Sequence, residues 1–238
     1  MTLQFVSIAL TLPRYFLDLL SQVVAMAMPS LYEQLDDEIR ESSIDNREFV
    51  RLDYLERVIN KENIKIELKI KDGACTNARK SSDLPDRIIK KAKKTFGALV
   101  LMEKADKIEG LLDEGLTDDH LPLSRHPKYD ALLSRDGKTS FQFGCLGRHT
   151  ITDFIKRKQW LFLAPILDTN GELIKVSYEC ALPFTDSEVE GHGAAGIVYR
   201  GKIYEGHQRG FEVSLLSYEP NLQNTEVFRQ RQSIIRLL

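Results

Sequence analysis

The chain has 238 residues, of which 42% are apolar, and a formal net charge of −2 at pH 7. This composition is ordinary for a globular protein of one large or two small domains, and the near-neutral charge argues against a nucleic-acid partner. The three cysteines, Cys75, Cys145 and Cys180, lack C-x-x-C spacing. They therefore indicate neither a zinc site nor a disulfide framework, but reduced thiols in an intracellular protein of the cytoplasm or nucleus.

Residues 1–29 form a predicted apolar extension. The run from Leu3 to Ala27 is mostly apolar, yet Arg14 and Asp18 fall near its middle, so we expect neither a transmembrane helix nor a membrane partner. A secretory signal peptide is disfavoured because no basic segment precedes the run. Met28 begins a segment that looks like a more natural start, which leaves open whether the preceding residues are translated.

Residues 30–168 are predicted to form a mainly helical region. Between Leu31 and about Ile70, apolar residues recur at helical spacing, and Asp45-Asn46 could cap the second helix of this stretch. Pro85 is expected to begin a third helix, whose apolar face consists of Ile88, Ile89, Ala92, Phe96 and Leu99. We interpret its basic face as solvated rather than as a nucleic-acid site, because no aromatic residues are interleaved with Arg87, Lys90, Lys91, Lys93 and Lys94.

A fourth helix, with Ile108, Leu111 and Leu112 on its apolar face, is predicted to end at Gly115. Residues 117–150 are rich in loop formers. Their histidines, His120 and His126, lack a carboxylate at ligand spacing, so we place them in loops or on the surface rather than at a metal.

A further helix is expected to begin at Thr150 or Thr152 and to end at Pro165. The single tryptophan, Trp160, is expected to pack the helical region against the part of the chain that follows. After a turn at Asn170-Gly171, the residues 173–176 are predicted to form a short strand.

Residues 136–140, Asp-Gly-Lys-Thr-Ser, imitate the end of a Walker A phosphate loop. Such a loop needs a glycine five residues before Gly137, where this chain has Leu132. The preceding stretch, 129–133, also favours a helix, whereas a Walker A loop follows a strand. We therefore predict a polar turn here.

Residues 191–198, Gly-His-Gly-Ala-Ala-Gly-Ile-Val, fit the pattern GxGxxGxV. A dinucleotide-binding loop with this glycine spacing runs into a helix, but here a β-rich segment follows, so we predict a strand, a glycine loop and a second strand. Gly191, Gly193 and Gly196 would let backbone amides approach phosphates, and Val198 would pack on an adenine. A glycine-rich hairpin without a ligand is the alternative.

Three ordered blocks surround this loop. They are Lys-Gln-Trp-Leu-Phe-Leu-Ala-Pro at 158–165, Leu-Pro-Phe at 182–184, and a tail formed by Val198-Tyr199, Ile203 and His207-Gln208. With residues 95–101 and 114–122, they resemble a group of filamentous-fungal serine/threonine protein kinase-like proteins over about residues 30–210. The resemblance implies an α+β fold in which 169–238 form part of a kinase small lobe. It also implies ATP with magnesium as cofactors and serine/threonine phosphorylation as the family activity.

The chain departs from a kinase after residue 208. In the candidate lysine strand, residues 211–216, Ser214 occupies the lysine position and Glu212 the alanine position. The end, 226–238, favours a helix in which Glu226 would lack its lysine partner. No H-R-D follows the loop, and Asp153-Phe154-Ile155 is not a D-F-G, so we assign no catalytic residue and no metal ligand.

We therefore expect a truncated kinase-like protein that is inactive as this chain, with ATP binding weak or lost. The first alternative is a non-catalytic interaction or regulatory module whose helical region binds a protein partner and whose glycine loop is vestigial. The second is a mis-joined gene model, in which the missing motifs lie downstream.

Overall fold

The computed structural model describes residues 29–70, 79–129, 131–144, 146–168, 176–193, 196–210, 215–221, 225–230 and 234–235. Of residues 79–82, 192–193, 196–198 and the described residues from 215 onward it describes the backbone alone. The predicted extension as far as residue 28, the thiols Cys75 and Cys145, and residues 173–175 of the predicted strand lie outside the described part.

The described residues contain both helices and sheets, which confirms the predicted α+β class. Their seven α-helices are α1 (Leu31–Asp37), α2 (Leu52–Val58), α3 (Lys61–Glu67), α4 (Arg79–Lys91), α5 (Lys93–Val100), α6 (Ile108–Asp113) and α7 (Arg148–Lys156). Short 3-10 turns occur at Ala105–Lys107, Asp118–His120, Lys158–Phe162 and Glu205–His207.

The strands are short in the first part of the chain and long in the second. They are β1 (Ile39–Glu41), β2 (Glu48–Val50), β3 (Ser124–Arg125), β4 (Leu132–Leu133), β5 (Ser140–Phe141), β6 (Leu167–Asp168), β7 (Phe184–Gly193), β8 (Gly196–Ile203), β9 (Gln208–Arg209), β10 (Leu215–Asn221), β11 (Thr225–Gln230) and β12 (Ile234–Ile235). The order β12-β11-β10-β8-β7 forms a five-stranded sheet, and every pairing in it is antiparallel.

Helix α5 lies at the centre of the main core, because all residues from Thr95 to Val100 are buried. Gly97 allows the 3-10 turn Lys158–Phe162 to approach this helix closely. A Cβ at Gly97 would lie 2.8 Å from a ring carbon of Phe162 and 3.3 Å from a methyl carbon of Leu55. Both distances are shorter than ordinary carbon contacts, so the glycine is required by packing.

Two predictions for residues 31–70 were wrong. A β-hairpin formed by β1 and β2 interrupts the helical stretch, with Ile39 paired to Val50. Asp45 does not cap a helix, because its carboxylate accepts from the amide of Arg47 in the turn between these strands. Asn46 has a φ of 54°, which asparagine tolerates in tight turns. The β-branched and aromatic residues flanking this turn favour strands, a signal that short-range helical spacing concealed.

Two predicted helix starts and one predicted helix also differ from the structure. Pro85 lies inside α4, which begins at Arg79. Thr150 and Thr152 lie inside α7, whose N-cap is Gly147. Residues 129–133 do not form a helix, since Leu132–Leu133 is strand β4 between β3 and β5. The predicted end of α6 was correct, and Gly115 has the left-handed φ of 88° that suits a helix C-terminus.

The end of the chain was wrongly predicted to be helical. Residues 225–230 and 234–235 are strands β11 and β12, with Phe228 of β11 paired to Tyr218 of β10. Of the strand predicted over 211–216, Leu215 and Leu216 belong to β10, whereas residues 211–214, including Glu212 and Ser214, lie outside the described residues. A strand can form where a neighbouring strand is free to pair and the segment carries aromatic or β-branched residues. Strand β11 has such residues and pairs with β10.

Residues 31–238 form one compact unit. A second apolar cluster joins the helical region to the first two strands of the large sheet, and its members are Leu167, Val176, Cys180, Leu182, Phe184 and Ile203. Strand β6, which precedes β7 in the sequence, pairs in parallel with β9, which follows β8. The predicted boundary at residue 168 therefore falls inside a packed junction.

Candidate functional site

The glycine loop joins two antiparallel strands, as predicted. Across the end of the β7–β8 hairpin, Gly191 pairs with Val198, and Gly193 pairs with Gly196. A helix does not follow the last glycine, so the arrangement differs from a dinucleotide-binding loop. All four predicted nucleotide-binding residues thus lie at one end of one hairpin. The side chain of Val198 is outside the described residues, so its contact with an adenine stays a prediction.

The glycines of this hairpin have different roles. A Cβ at Gly191 would meet nothing within 4 Å. A Cβ at Gly201 would lie 3.0 Å from the carbonyl oxygen of Asp186 and 3.2 Å from the ring of Phe184. Gly201 is therefore a packing residue, whereas a side chain at position 191 would have room.

The strand next to β8 lacks the lysine that a kinase places there. Strand β10 pairs with β8 so that Ser217 lies opposite Val198 and Leu216 opposite Tyr199. Its sequence, Leu-Leu-Ser-Tyr-Glu-Pro-Asn, contains neither lysine nor arginine. Lys202 on β8 is well exposed and lies 3.7 Å from the carboxylate of Asp186, so it is a surface charge.

The histidine of the tail block, His207, is a buried structural link with only 2% of its surface exposed. The amide of Leu52 donates to its Nε2 at 3.1 Å. Because Nε2 accepts, Nδ1 holds the proton and donates to the carbonyl oxygen of Pro165 at 3.0 Å. We call these two bonds the His207 bridge. It connects the 3-10 turn Glu205–His207, which follows β8, to the start of α2 and to the end of the 158–165 block.

The His207 bridge should make the stability of the protein depend on pH. Burial lowers the pKa of His207 below its usual value near 6.5, so the folded state favours the neutral ring. As pH falls below about 6.5, the unfolded chain binds this proton first, and stability declines until the folded pKa is passed. We expect urea unfolding of the native chain between about pH 8 and about pH 5.5 to show this loss.

The variant His207→Gln, which cannot titrate, should lose less stability over the same pH range. His149→Gln, at an exposed position in α7, should retain the native dependence. Equal pH dependence in the native chain and in His207→Gln would contradict this assignment.

The 158–165 block is also structural. Gln159 is 1% exposed, and its Oε1 accepts from the amide of Leu123 at 2.7 Å. Its Nε2 donates to the carbonyl oxygens of Leu123 at 3.0 Å and Ile155 at 2.8 Å. Trp160 donates from Nε1 to the same Ile155 oxygen at 2.9 Å and packs on the second apolar cluster. The predicted role of Trp160, packing the helical region against the following strands, is confirmed.

The Leu-Pro-Phe block fixes the base of the hairpin. Phe184 is fully buried, and its carbonyl oxygen accepts from the amide of Ser43 at 3.0 Å. The amide of Leu182 donates to Asp45 at 3.1 Å, and the carbonyl oxygen of Pro183 accepts from Tyr204 at 2.9 Å. The β1–β2 turn, which the sequence had suggested to be helical, therefore holds the first strand of the hairpin.

A cavity of about 810 Å³ lies on the helical side of this junction. Its polar lining includes Lys94, Arg135, Asp118 and Asp119, and its apolar lining includes Leu52, Leu121, Trp160, Leu163 and Val176. None of the described residues of the glycine hairpin is among the lining groups. The nucleotide-binding residues predicted from the sequence and the cavity are thus at different places.

Asp118 caps the N-terminus of α5, although it does not precede that helix in the sequence. Its carboxylate accepts from the amides of Lys94 at 2.8 Å and Thr95 at 2.9 Å, and from the Thr95 hydroxyl at 2.8 Å. Ala92, the residue at the N-cap, has no side-chain acceptor to do this. Burial raises the pKa of Asp118, while these donors oppose the rise. Its charge is therefore already engaged by the helix.

The basic cluster of α4 and α5 is not a uniform solvated face. Arg87 pairs with Asp113 at 2.8 Å, and Lys93 pairs with Glu56. Lys94 is half-buried and lines the cavity. The prediction that it belongs to a solvated face was wrong, and sequence spacing gave no sign of Arg135, which lies far along the chain. Cys180 also lines the cavity, but burial raises its thiol pKa to about 11, so it is not a nucleophile.

Among the described residues, no group of three or more histidine, cysteine, aspartate or glutamate side chains could hold a metal ion. No helix in that part of the chain is long and apolar enough to span a membrane. Comparison with protein-family models, with curated proteins and with solved structures yields no match.

Proposed function

We propose that the chain is a protein-kinase-like small lobe with a helical N-terminal region, which binds ATP weakly and does not transfer its phosphate. The observation that supports this best is the antiparallel hairpin with Gly193 opposite Gly196 at its end, within a five-stranded antiparallel sheet. A kinase small lobe also has a glycine hairpin that covers the nucleotide phosphates.

The absence of phosphate transfer follows from the groups that this sequence does not supply. Strand β10 has no basic residue to pair with the phosphates. Glu226 lies in strand β11 rather than in a helix facing that strand. No H-R-D follows the glycine loop, so the chain offers no aspartate to orient a substrate hydroxyl. The backbone amides of the hairpin are what remains for the nucleotide.

We expect magnesium-ATP to bind with a dissociation constant weaker than about 1 mM, because each missing ionic contact would have contributed about 1.5–3 kcal/mol. Calorimetry should therefore detect no tight site. At about 10 mM ATP, backbone NMR shifts should concentrate on Gly191, Gly193 and Gly196. Purified chain should transfer no radiolabelled phosphate to generic serine or threonine substrates.

Gly191→Asp should abolish these shifts, because an added carboxylate would repel the phosphates in a position with open space around it. Gly144→Asp, whose Cβ also meets nothing within 4 Å, adds the same charge elsewhere and should leave them intact. Micromolar ATP affinity, or phosphate transfer that Gly191→Asp removes, would contradict the proposal of an inactive lobe. Absence of shifts at all three glycines would contradict nucleotide binding.

The second candidate is a non-catalytic interaction module with a vestigial glycine loop. The observation in its favour is that Gln159, Phe184 and His207, each from one of the three recognised blocks, are all buried packing groups. Buried groups of this kind can maintain a rigid scaffold in a protein that catalyses no reaction. The NMR titration separates the two candidates, because a vestigial loop would show no response to ATP.

A further inference from the structure

We propose that the 810 Å³ cavity between the helical region and residues 176–180 binds a small organic anion, through Lys94 and Arg135, with its apolar part against Trp160 and Leu163. This goes beyond the proposed function, because the cavity is separate from the glycine hairpin. Its volume lies within the range of about 300–1,000 Å³ that is usual for small-molecule sites.

The charges of the lining favour an anion. Neither Lys94 nor Arg135 has an ion-pair partner among the described residues, although other basic groups nearby are paired. The carboxylate of Asp118 already accepts three hydrogen bonds at the start of α5. Asp119, which is exposed, is the remaining carboxylate of the lining. The lining thus holds two cations without an ion pair in the described part of the chain, one solvated carboxylate, and a second carboxylate, Asp118, that the amides at the start of α5 already bind.

Both cations lie within electrostatic range of Cys180, which also lines the cavity. Burial is the main influence on the pKa of Cys180, which it raises to about 11, and Lys94 and Arg135 both oppose that rise electrostatically. Lys94 is fixed by the Asp118 bonds to its own helix turn, and the backbone of Arg135 is fixed by donation to the carbonyl oxygen of His120 at 2.9 Å. The backbones of both residues are therefore held in place before a ligand arrives.

The apolar lining determines the kind of anion. Leu52, Leu121, Trp160, Leu163 and Val176 supply aliphatic and aromatic surface beside the two cations. An inorganic ion would use only the charges, whereas an aryl or alkyl phosphate or carboxylate would use both parts of the lining. The shared chemistry is an anionic head on an apolar body.

Trp160 allows a direct measurement, because it is the only tryptophan of the chain and it lines the cavity. We would titrate the full chain with phenyl phosphate, benzoate, inorganic phosphate and benzyl alcohol, and follow its fluorescence. Phenyl phosphate or benzoate should give saturable binding, at least about tenfold tighter than inorganic phosphate or the neutral alcohol. The stronger of the two aryl anions identifies the head group as phosphate or carboxylate.

Variants test the assigned charges. Arg135→Gln and Lys94→Gln should each weaken binding about tenfold or more, whereas Asp119→Asn should strengthen it. Arg148→Gln and Lys138→Gln, at exposed positions outside the cavity, are the matched controls and should bind like the native chain. Gly191→Asp should also bind normally, which separates this site from the hairpin.

Failure of both aryl anions to saturate at about 10 mM would overturn the proposal. Equal losses in Arg135→Gln and Arg148→Gln would also overturn it, since the effect would then reflect net charge alone. Circular dichroism and urea unfolding of each variant would identify a loss of folding. Asp119→Asn separates loss of charge from loss of folding, because a misfolded variant cannot bind the anion more tightly.

Discussion

Replacing His207 with alanine should lower the free energy of unfolding by about 3–4 kcal/mol. The substitution leaves the Leu52 amide and the Pro165 carbonyl oxygen without their partner in a buried position. It also removes the ring that lies edge-to-face against Phe49, with centroids 5.3 Å apart. Urea unfolding followed by circular dichroism measures the loss.

A local measurement separates the loss of the His207 bridge from general damage. Hydrogen exchange at the Leu52 amide should accelerate more than exchange in the centre of α5, because Leu52 loses its acceptor directly. The control is His149→Ala, at an exposed position in α7, which should change stability by less than about 0.5 kcal/mol. A loss under about 1 kcal/mol in His207→Ala would show that the bridge contributes little.

Gln159→Ala should cost about 3 kcal/mol, which corresponds to a fall in Tm of about 6–12 °C for a unit of this size. The side-chain amide of Gln159 bonds to Leu123 as a neighbouring β-strand would. It accepts from the backbone amide of Leu123 and donates to the carbonyl oxygen of Leu123. Alanine leaves both of these buried groups unsatisfied and opens a void beside them. Thermal unfolding by calorimetry checks the fall.

Gln142→Ala is the matched control, because Gln142 is exposed and only its backbone amide is bonded. We expect it to melt within about 2 °C of the native chain. Faster exchange at Leu123 in Gln159→Ala would attribute the loss to the side-chain pairing. Native-like melting of Gln159→Ala would instead mean that water replaces these bonds without cost.

Local sequence signals predicted the structure correctly where it depends only on residues a few positions apart. The apolar spacing of Ile88, Ala92 and Phe96 correctly marked one buried face, although the single helix predicted there is divided at Ala92 into α4 and α5. Gly115 correctly marked the end of α6. The three glycines and the β-rich segment after them correctly gave a hairpin. In each case, the information lies within a few residues, because helix periodicity and turn geometry are short-range properties.

Predictions failed where distant residues decide the local conformation. Residues 39–50 form a hairpin because Asp45 and Ser43 bond to the Leu-Pro-Phe block far along the chain. Residues 225–230 form a strand because β10 offers them an edge to pair with. Helical spacing of a few apolar residues could not reveal either partner, since tertiary pairing overrides weak local preference.

The sequence by itself determined the α+β class, the glycine hairpin and the packing role of Trp160. Only the tertiary structure decided that Gln159 and His207 are buried links, and that Lys94 and Arg135 meet at one cavity. A hydrogen-bond partner or a shared cavity depends on which segments fold together. No spacing along the chain encodes that proximity, because residues such as Leu52 and His207 become neighbours through the packing of the whole unit.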